Sequence, residues 1–420
     1  MFDLSFNFIK KIRRRIFPFY KNKELKFIFD NLQKGFSNDI VTARFVGGCV
    51  RKYLTNDEVD DIDIATILST NEIKERFEKS NFNIIDTGTE HGTVTLVSNQ
   101  FKLELTTLRK DVVTDGRHAE VEYINDWQLD SERRDFTINA IYLDINGKIF
   151  DPQSGTFDLK NNNVKFIGDP NSRIQEDYLR IIRLLRFAIQ YDSSNDKTTI
   201  EALKSNLNGI KDISKERIFN ELMKMLSLKN FDNILKHINK KNIFLLIFSE
   251  LKYLDRLKKL NKVKEIVKID NESLLSILLI DETDSHEYFA YKYSISNDLK
   301  KKLNLIHKNF SLLNQNENFF RNDLSKNIYL YGKEHLIFLN TLCFTNDLNT
   351  KISDYKIINK NIIQNKIQKL PINGKYLIQK GMKEGMALGK VLKTIEEEWI
   401  NNSFKISQER IEEIIKLNLN

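Results

Sequence analysis

Asp61 and Asp63, separated by a single residue, follow the string Gly47-Gly48-Cys49-Val50-Arg51. At spacing two on a strand the two carboxylates point to one face, while Ile62 and Ile64 point to the other. Acids placed this way can bridge a pair of Mg²⁺ ions about 4 Å apart, which activates an attacking hydroxyl and neutralises a leaving pyrophosphate. A strand that ends in Gly47-Gly48 lets phosphate oxygens approach backbone N–H groups at the start of the next helix. Arg51, one turn into that helix, can reach the same triphosphate. Taken singly, a Gly-Gly or an Asp-x-Asp usually marks a turn or a solvated edge; the two in this order are much less often accidental.

Three further groups carry charge in ordered patterns. Alternation puts Lys102, Glu104 and Thr106 on one strand face, opposite Phe101, Leu103 and Leu105, so Glu104 is a candidate third acid or an ordinary exposed strand glutamate. Glu132 to Ala140 contain Arg133, Arg134, Asp135 and Asn139. The adjacent arginines offer fixed forks to phosphate, and Asp135 and Asn139 can hold the arginines or a ribose hydroxyl; a surface ion-pair cluster is the plainer reading. Glu176, Asp177 and Arg180 are continued by Arg183 and Arg186. Asp177 and Arg180 lie three apart and would share a helix face, which a simple salt bridge also explains, yet three arginines exceed what one Asp needs.

The elements that must position these residues fall into two regimes. From Ala43 to about Asp151 the spacing predicts a sheet with connecting helices: strands at Ala43 to Val46 and Ile62 to Thr66, and a hairpin from Thr93 to Thr106. A second hairpin is expected at Ile141 to Phe150, where Asn146-Gly147 would supply the positive φ angles of a two-residue turn. After Gly168 nearly everything has helical spacing. The clearest helix runs from about Ser172 to Gln190, with a capping-box spacing at Ser172 and Gln175 and an apolar stripe of Ile181, Leu184, Leu185 and Ala188. Helices are also expected at Ile213 to Leu226, through 230 to 350, and near Val391 to Ile400. The fold class is α+β.

With 420 residues, 41% hydrophobic and 30% charged, the chain is long enough for more than one domain. No apolar run approaches the roughly 20 residues of a membrane span, and the opening mixes Phe and Ile with Lys10, Lys11, Arg13, Arg14 and Arg15. The two cysteines, Cys49 and Cys343, have no metal-ligand spacing, which favours a reducing, cytoplasmic setting. A formal charge of +8 and a pI near 9.0 favour a polyanionic partner, although a composition rich in Lys, Asn and Ile can produce the same basicity.

The strings Phe45 to Arg51, Asp61 to Thr66, Arg133 to Ala140, Asp151-Pro152 with Gly155, Glu176 to Phe187, and Ser214 to Arg217 with Glu221-Leu222 resemble, in order, those of class II CCA-adding enzymes and the related bacterial poly(A) polymerases. The resemblance implies a nucleotidyltransferase head with a small mixed or antiparallel sheet over 26–150, after a basic segment over 1–25. A helical neck (151–228), body (229–350) and tail (351–420) would follow. It implies Mg²⁺-dependent addition of C, C and A to a tRNA 3′ end from CTP and ATP, by a monomer or homodimer with no DNA or membrane partner. Asp61 and Asp63 would bind the metal, with Glu104 as a third catalytic acid. Gly47, Gly48, Arg51, Arg133, Arg134, Asp135 and Asn139 would hold the nucleotide, as would Glu176, Arg183 and Arg186. Asp177 and Arg180 would read the base.

Such a pair has a physical basis for choosing its base. Cytosine and adenine both offer an exocyclic amine beside a ring-nitrogen acceptor, whereas uracil and guanine present a carbonyl beside a ring N–H. A carboxylate next to a guanidinium admits the first two and refuses the others. Asp111 to Glu122, within the segment Arg109 to Tyr123, resembles the flexible loop of full CCA-adding enzymes. Lys52 stands where the family usually has Asp, a change that bears on the local support of Arg51 and not on the metal site, and Tyr376 replaces a usual acid in the tail. His91 has no catalytic assignment. A poly(A) polymerase with the same head and a non-catalytic RNA-binding protein are the rival readings.

Overall fold

Alternating apolar and polar residues build nine strands in the computed structural model, which describes residues 18–88, 92–114 and 119–418. These are β1 (Ala43–Val46), β2 (Ile62–Thr66), β3 (Asn83–Gly88), β4 (Thr93–Val97), β5 (Lys102–Thr107), β6 (Arg109–Thr114), β7 (Ala119–Tyr123), β8 (Tyr142–Leu143) and β9 (Ile149–Phe150). Seven of them form one mixed sheet in the order β3-β4-β5-β2-β1-β8-β9, and β6 pairs with β7 separately. Within the large sheet β2 and β5 run parallel and the other neighbours antiparallel.

The register sorts the sheet into two chemically different faces. Phe45, Ile64 and Leu105 lie opposite one another on one face, and all are buried. That face is covered by α1 (Lys23–Gln33), which buries Leu25, Ile28, Phe29 and Leu32, and by α3 (Thr70–Phe77), which buries Ile73 and Phe77. Each such side chain contributes roughly 1.5–3 kcal/mol of burial. The opposite face carries Val46, Asp63 and Glu104 side by side, and α2 (Gly48–Leu54) leaves β1 directly above it.

The chain divides into two compact units, Met1–Ser249 and Glu250–Asn420. The first continues after the sheet region through α4 (Trp127–Glu132), α5 (Gly155–Lys160), α6 (Pro170–Glu176), α7 (Leu179–Gln190), α8 (Lys197–Asn206), α9 (Lys215–Leu226) and α10 (Ile238–Ile247). The second is helical throughout its described residues, from Arg256–Leu260 to Gln408–Leu417. Near its end, Leu377, Val391, Ile395, Ile411 and Ile414 form a small core of their own. No helix among the described residues is long and apolar enough to cross a membrane.

Two expectations need correction. The helix expected from Ser172 to Gln190 is two helices, because Asp177 is extended (φ −153°, ψ 104°) and separates α6 from α7. Its N-cap is Asp169, whose carboxylate accepts the Ser172 N–H, with Pro170 at the first helical position; Ser172 and Gln175 form no capping box. The β8–β9 turn is longer than two residues. Asp144 and Lys148 close it, the Gly147 N–H reaches the Asp144 carbonyl, and of the pair Asn146-Gly147 only Gly147 has positive φ. The segment Arg109 to Tyr123, which contains the string likened to a flexible loop, pairs as β6 with β7, and its residues 115–118 lie outside those described, as does His91.

Candidate active site

The sheet places Asp63 on β2 directly beside Glu104 on β5, with Asp61 just before the strand. Asp63 is half-buried, while Asp61 and Glu104 are exposed. Burial, the neighbouring Glu104 and Asp61 push the Asp63 carboxyl up to about 6, against the opposing pull of Arg134 and Arg51. Crowded like charges of this kind are what a divalent cation relieves. The donors are hard oxygens suited to Mg²⁺. Among the described residues no group of three or more His, Cys, Asp or Glu is arranged to hold an ion by itself. Two carboxylates with substrate phosphates and water completing the shell is the usual Mg²⁺ pattern.

Gly47 turns the chain from β1 into α2 with φ +72° and ψ −126°. A Cβ there would be strained by the backbone and would lie 3.5 Å from Asp63 Oδ2, so glycine keeps the turn close to the acids. Arg51, in the first turn of α2, donates through Nη1 to Asn139 Oδ1 and through Nε to the Tyr191 hydroxyl at 3.3 Å. Its guanidinium lies 4.8 Å from the centre of the Phe187 ring. The support of Arg51 therefore comes from Asn139, Tyr191 and Phe187. Lys52 instead pairs with Asp60, whose carboxylate also accepts the Asp61 N–H at 2.8 Å.

The arginines after α4 are organised by a residue the sequence reading passed over. Asp130 is fully buried and receives Arg133 Nε at 2.8 Å, Arg134 Nη2 at 3.0 Å and the Tyr142 hydroxyl at 2.7 Å. Burial alone would raise its carboxyl, but Arg134 and Arg133 hold it well below the usual carboxylate range. Its only sequence signal was its position three and four residues before the arginine pair. Arg173 then donates to the backbone carbonyls of Arg133 and Arg134, both at 2.6 Å, tying α6 to this segment.

Asp135 and Asn139 join the sheet region to α7. Arg183 clasps Asp135 Oδ2 through Nε at 2.8 Å and Nη2 at 2.6 Å, and Asn139 donates to the other oxygen at 2.6 Å. Burial acts to raise the Asp135 carboxyl, and Arg183 with these hydrogen bonds outweighs it, holding it at about 2. Arg186 pairs at 2.7 Å with Glu221 on α9. Phe187 sits among Arg51, Arg183 and Arg186, with the guanidinium of Arg186 4.1 Å from the ring centre. Phe187, Tyr191 and Glu221 were also unassigned. Phe187 and Glu221 lie in the matched strings, but nothing local marks them as partners of arginines.

Asp177 and Arg180 occupy neighbouring places without pairing to each other. Because the helix breaks at Asp177, its Oδ1 accepts the Leu179 N–H at 3.0 Å and its Oδ2 accepts Arg217 Nη2 at 2.8 Å. Arg180 donates to Glu176 at 2.6 Å, and Glu176 also receives Arg173 at 2.5 Å. The expected shared helix face is thus replaced by two separately held groups. A carboxylate and a guanidinium are both anchored by third residues, which leaves them preset rather than collapsed onto one another.

Residues 43–165 match the family model described as the poly A polymerase head domain, and 196–254 match one described as a probable RNA and SrmB-binding site of polymerase A. The chain is 31% identical over 392 residues to the CCA-adding enzyme of Lactobacillus helveticus, covering 89% of this chain and 92% of that protein. It is 45% identical over 199 residues to the human mitochondrial CCA tRNA nucleotidyltransferase 1, a match covering 46% of each chain, so about half the length of that relative is spanned. The crystal structure of the Bacillus stearothermophilus CCA-adding enzyme in complex with CTP shares the fold, with a TM-score of 0.69 and 22% identity over 95% of this chain and 98% of that one.

Proposed function

The chain belongs to the CCA-adding enzyme family, and on that premise we propose that it adds C, C and A to the 3′ end of tRNA from CTP and ATP without a template, releasing pyrophosphate at each step. The observation that carries this reading is the juxtaposition of Asp61, Asp63 and Glu104 beside the Gly47 turn. Asp61 and Asp63 would hold Mg²⁺, which when bound neutralises charge on the phosphates and lowers the pKa of the attacking hydroxyl.

The remaining residues bind and orient. Gly47 and Gly48 keep the backbone clear for a triphosphate, while Arg51, Arg133 and Arg134 present guanidinium groups held in place by Asn139 and Asp130. Asp177 accepts the exocyclic amine of C or A, and Arg180 donates to the ring nitrogen beside it. Arg217 and Glu176 keep that pair in position before the base arrives. Asp135, Arg183, Arg186 and Glu221 lock α7 to the sheet region and to α9. The two free cysteines fit a reducing, cytoplasmic setting.

Incubation with tRNA lacking its terminal CCA and labelled CTP or ATP tests the proposal. The expected result is sequential C, C and A incorporation that vanishes in Asp61→Ala/Asp63→Ala while tRNA binding survives. Incorporation of A without C would favour a poly(A) polymerase. Retained tRNA binding by the unaltered chain without pyrophosphate release would favour a non-catalytic RNA-binding protein.

A further inference from the structure

A cavity of about 260 Å³ opens among α7, α8, α10 and the segment before α10. Its floor is apolar: Leu185, Leu203 and Ile243 are almost fully buried there, and Ile200 lines the wall. Leu185 sits about 200° around α7 from Arg183, at 100° per residue, so this cavity faces away from the arginine row described above. Its rim is cationic. Lys236, His237 and Lys240 gather round the single carboxylate of Asp192, at 3.8, 2.9 and 3.2 Å. Lys240 is 6% exposed, so its ammonium is held at the cavity and not in bulk solvent.

The charge around Asp192 does not balance. Two lysines against one aspartate leave an excess positive charge, and His237 adds to it when protonated. Residues 229–242 carry Lys229, Lys236, Lys240 and Lys241 against Asp232, and the facing residues 192–201 carry Asp192, Asp196 and Glu201 against Lys197, so the two segments together keep a small positive excess. Asn195 also lines the cavity, and its Oδ1, shielded from solvent, has no hydrogen-bond partner. An unsatisfied buried acceptor is unfavourable, and a ligand N–H at that wall would satisfy it.

An apolar slot, an amide that lacks a donor and a cationic rim are complementary to a base, its N–H edge and its phosphate. We propose that this cavity is a second nucleotide site, taking one nucleotide with its base over Leu185, Leu203 and Ile243 and its phosphate on Lys236 and Lys240. The volume lies just under the roughly 300–1,000 Å³ typical of small-molecule sites, which suits a single nucleotide. The same chemistry is offered by a free nucleotide and by one residue of an RNA strand; the strand source rests on the tRNA reading above.

Equilibrium titration of the full chain with AMP, CTP and tRNA lacking its CCA distinguishes these sources. Ile200→Trp fills the slot without changing charge, and Lys236→Ala/His237→Ala removes rim cations without touching the floor. If the occupant is a free nucleotide, AMP binding to one of two sites per chain is lost in Ile200→Trp while CTP at the arginine site binds as before. If it is a strand residue, AMP is unaffected and tRNA binds at least tenfold more weakly. Unchanged AMP stoichiometry together with unchanged tRNA affinity in a folded Ile200→Trp overturns the site. Should that variant not fold, the same loss or retention in the rim variant decides. Failure of the unaltered chain to incorporate C would sink the proposed reaction and leave the AMP count to judge this cavity on its own.

Discussion

At the scale of single residues, the site is built from charges whose partners are other charges, and the predictions follow from removing one member. In this reading Asp177 accepts the exocyclic amine beside Arg180. Asp177→Ala is expected to raise UTP incorporation relative to CTP by about tenfold, equivalent to ~1.4 kcal/mol of lost discrimination, in competition assays on tRNA lacking CCA. Asp135 gives a pH prediction. Its folded value, about 2, is depressed below its ordinary 3.8, so its stabilisation is fully present above pH 3.8 and is lost as pH falls toward 2. Denaturant titrations at pH 5 and pH 2.5 should show Asp135→Asn losing ~2 kcal/mol less than the unaltered chain across that interval. An identical loss in both would remove Asp135 as the source.

At the scale of elements, the turn from β1 into α2 determines how close the backbone comes to the acids. Gly47→Ala forces a Cβ onto a positive φ, which costs about 1–2 kcal/mol. A lowered melting temperature with weakened CTP binding is expected; unchanged CTP affinity would mean the turn does not seat the triphosphate. This level also shows how far sequence alone reaches. β1 and β2 have the expected ends because period-two alternation and the Gly47-Gly48 stop are local signals. The break at Asp177 was not legible, since Glu176, Asp177 and Tyr178 are each compatible with a helix. The carboxylate there is held by Arg217, forty residues further along. The roles of Asp130 and Glu221 were hidden for the same reason: both are acids in helical sequence whose importance lies in which arginines the fold brings to them. The pairing of β6 with β7 was not legible either, because it depends on which residues of the two strands face each other.

At the scale of the whole molecule, the charge of +8 should govern encounter with RNA more than the choice of nucleotide. tRNA affinity is expected to fall by roughly tenfold or more between 50 and 200 mM salt, with the same slope in Asp61→Ala/Asp63→Ala, as read by filter binding. A steeper fall in the unaltered chain would mean that the acids themselves take part in holding tRNA. The parallel pairing of β2 with β5 has a different kind of consequence. Asp63 and Glu104 become neighbours only after α3, β3 and β4 have been laid down between them. During synthesis, a growing polypeptide that has released Asp63 from the ribosome still lacks the strand that crowds it. The Asp63–Glu104 pair of the proposed centre cannot form until translation has passed Thr107, so premature termination before that codon yields a product with Asp61 and Asp63 and an incomplete acid cluster.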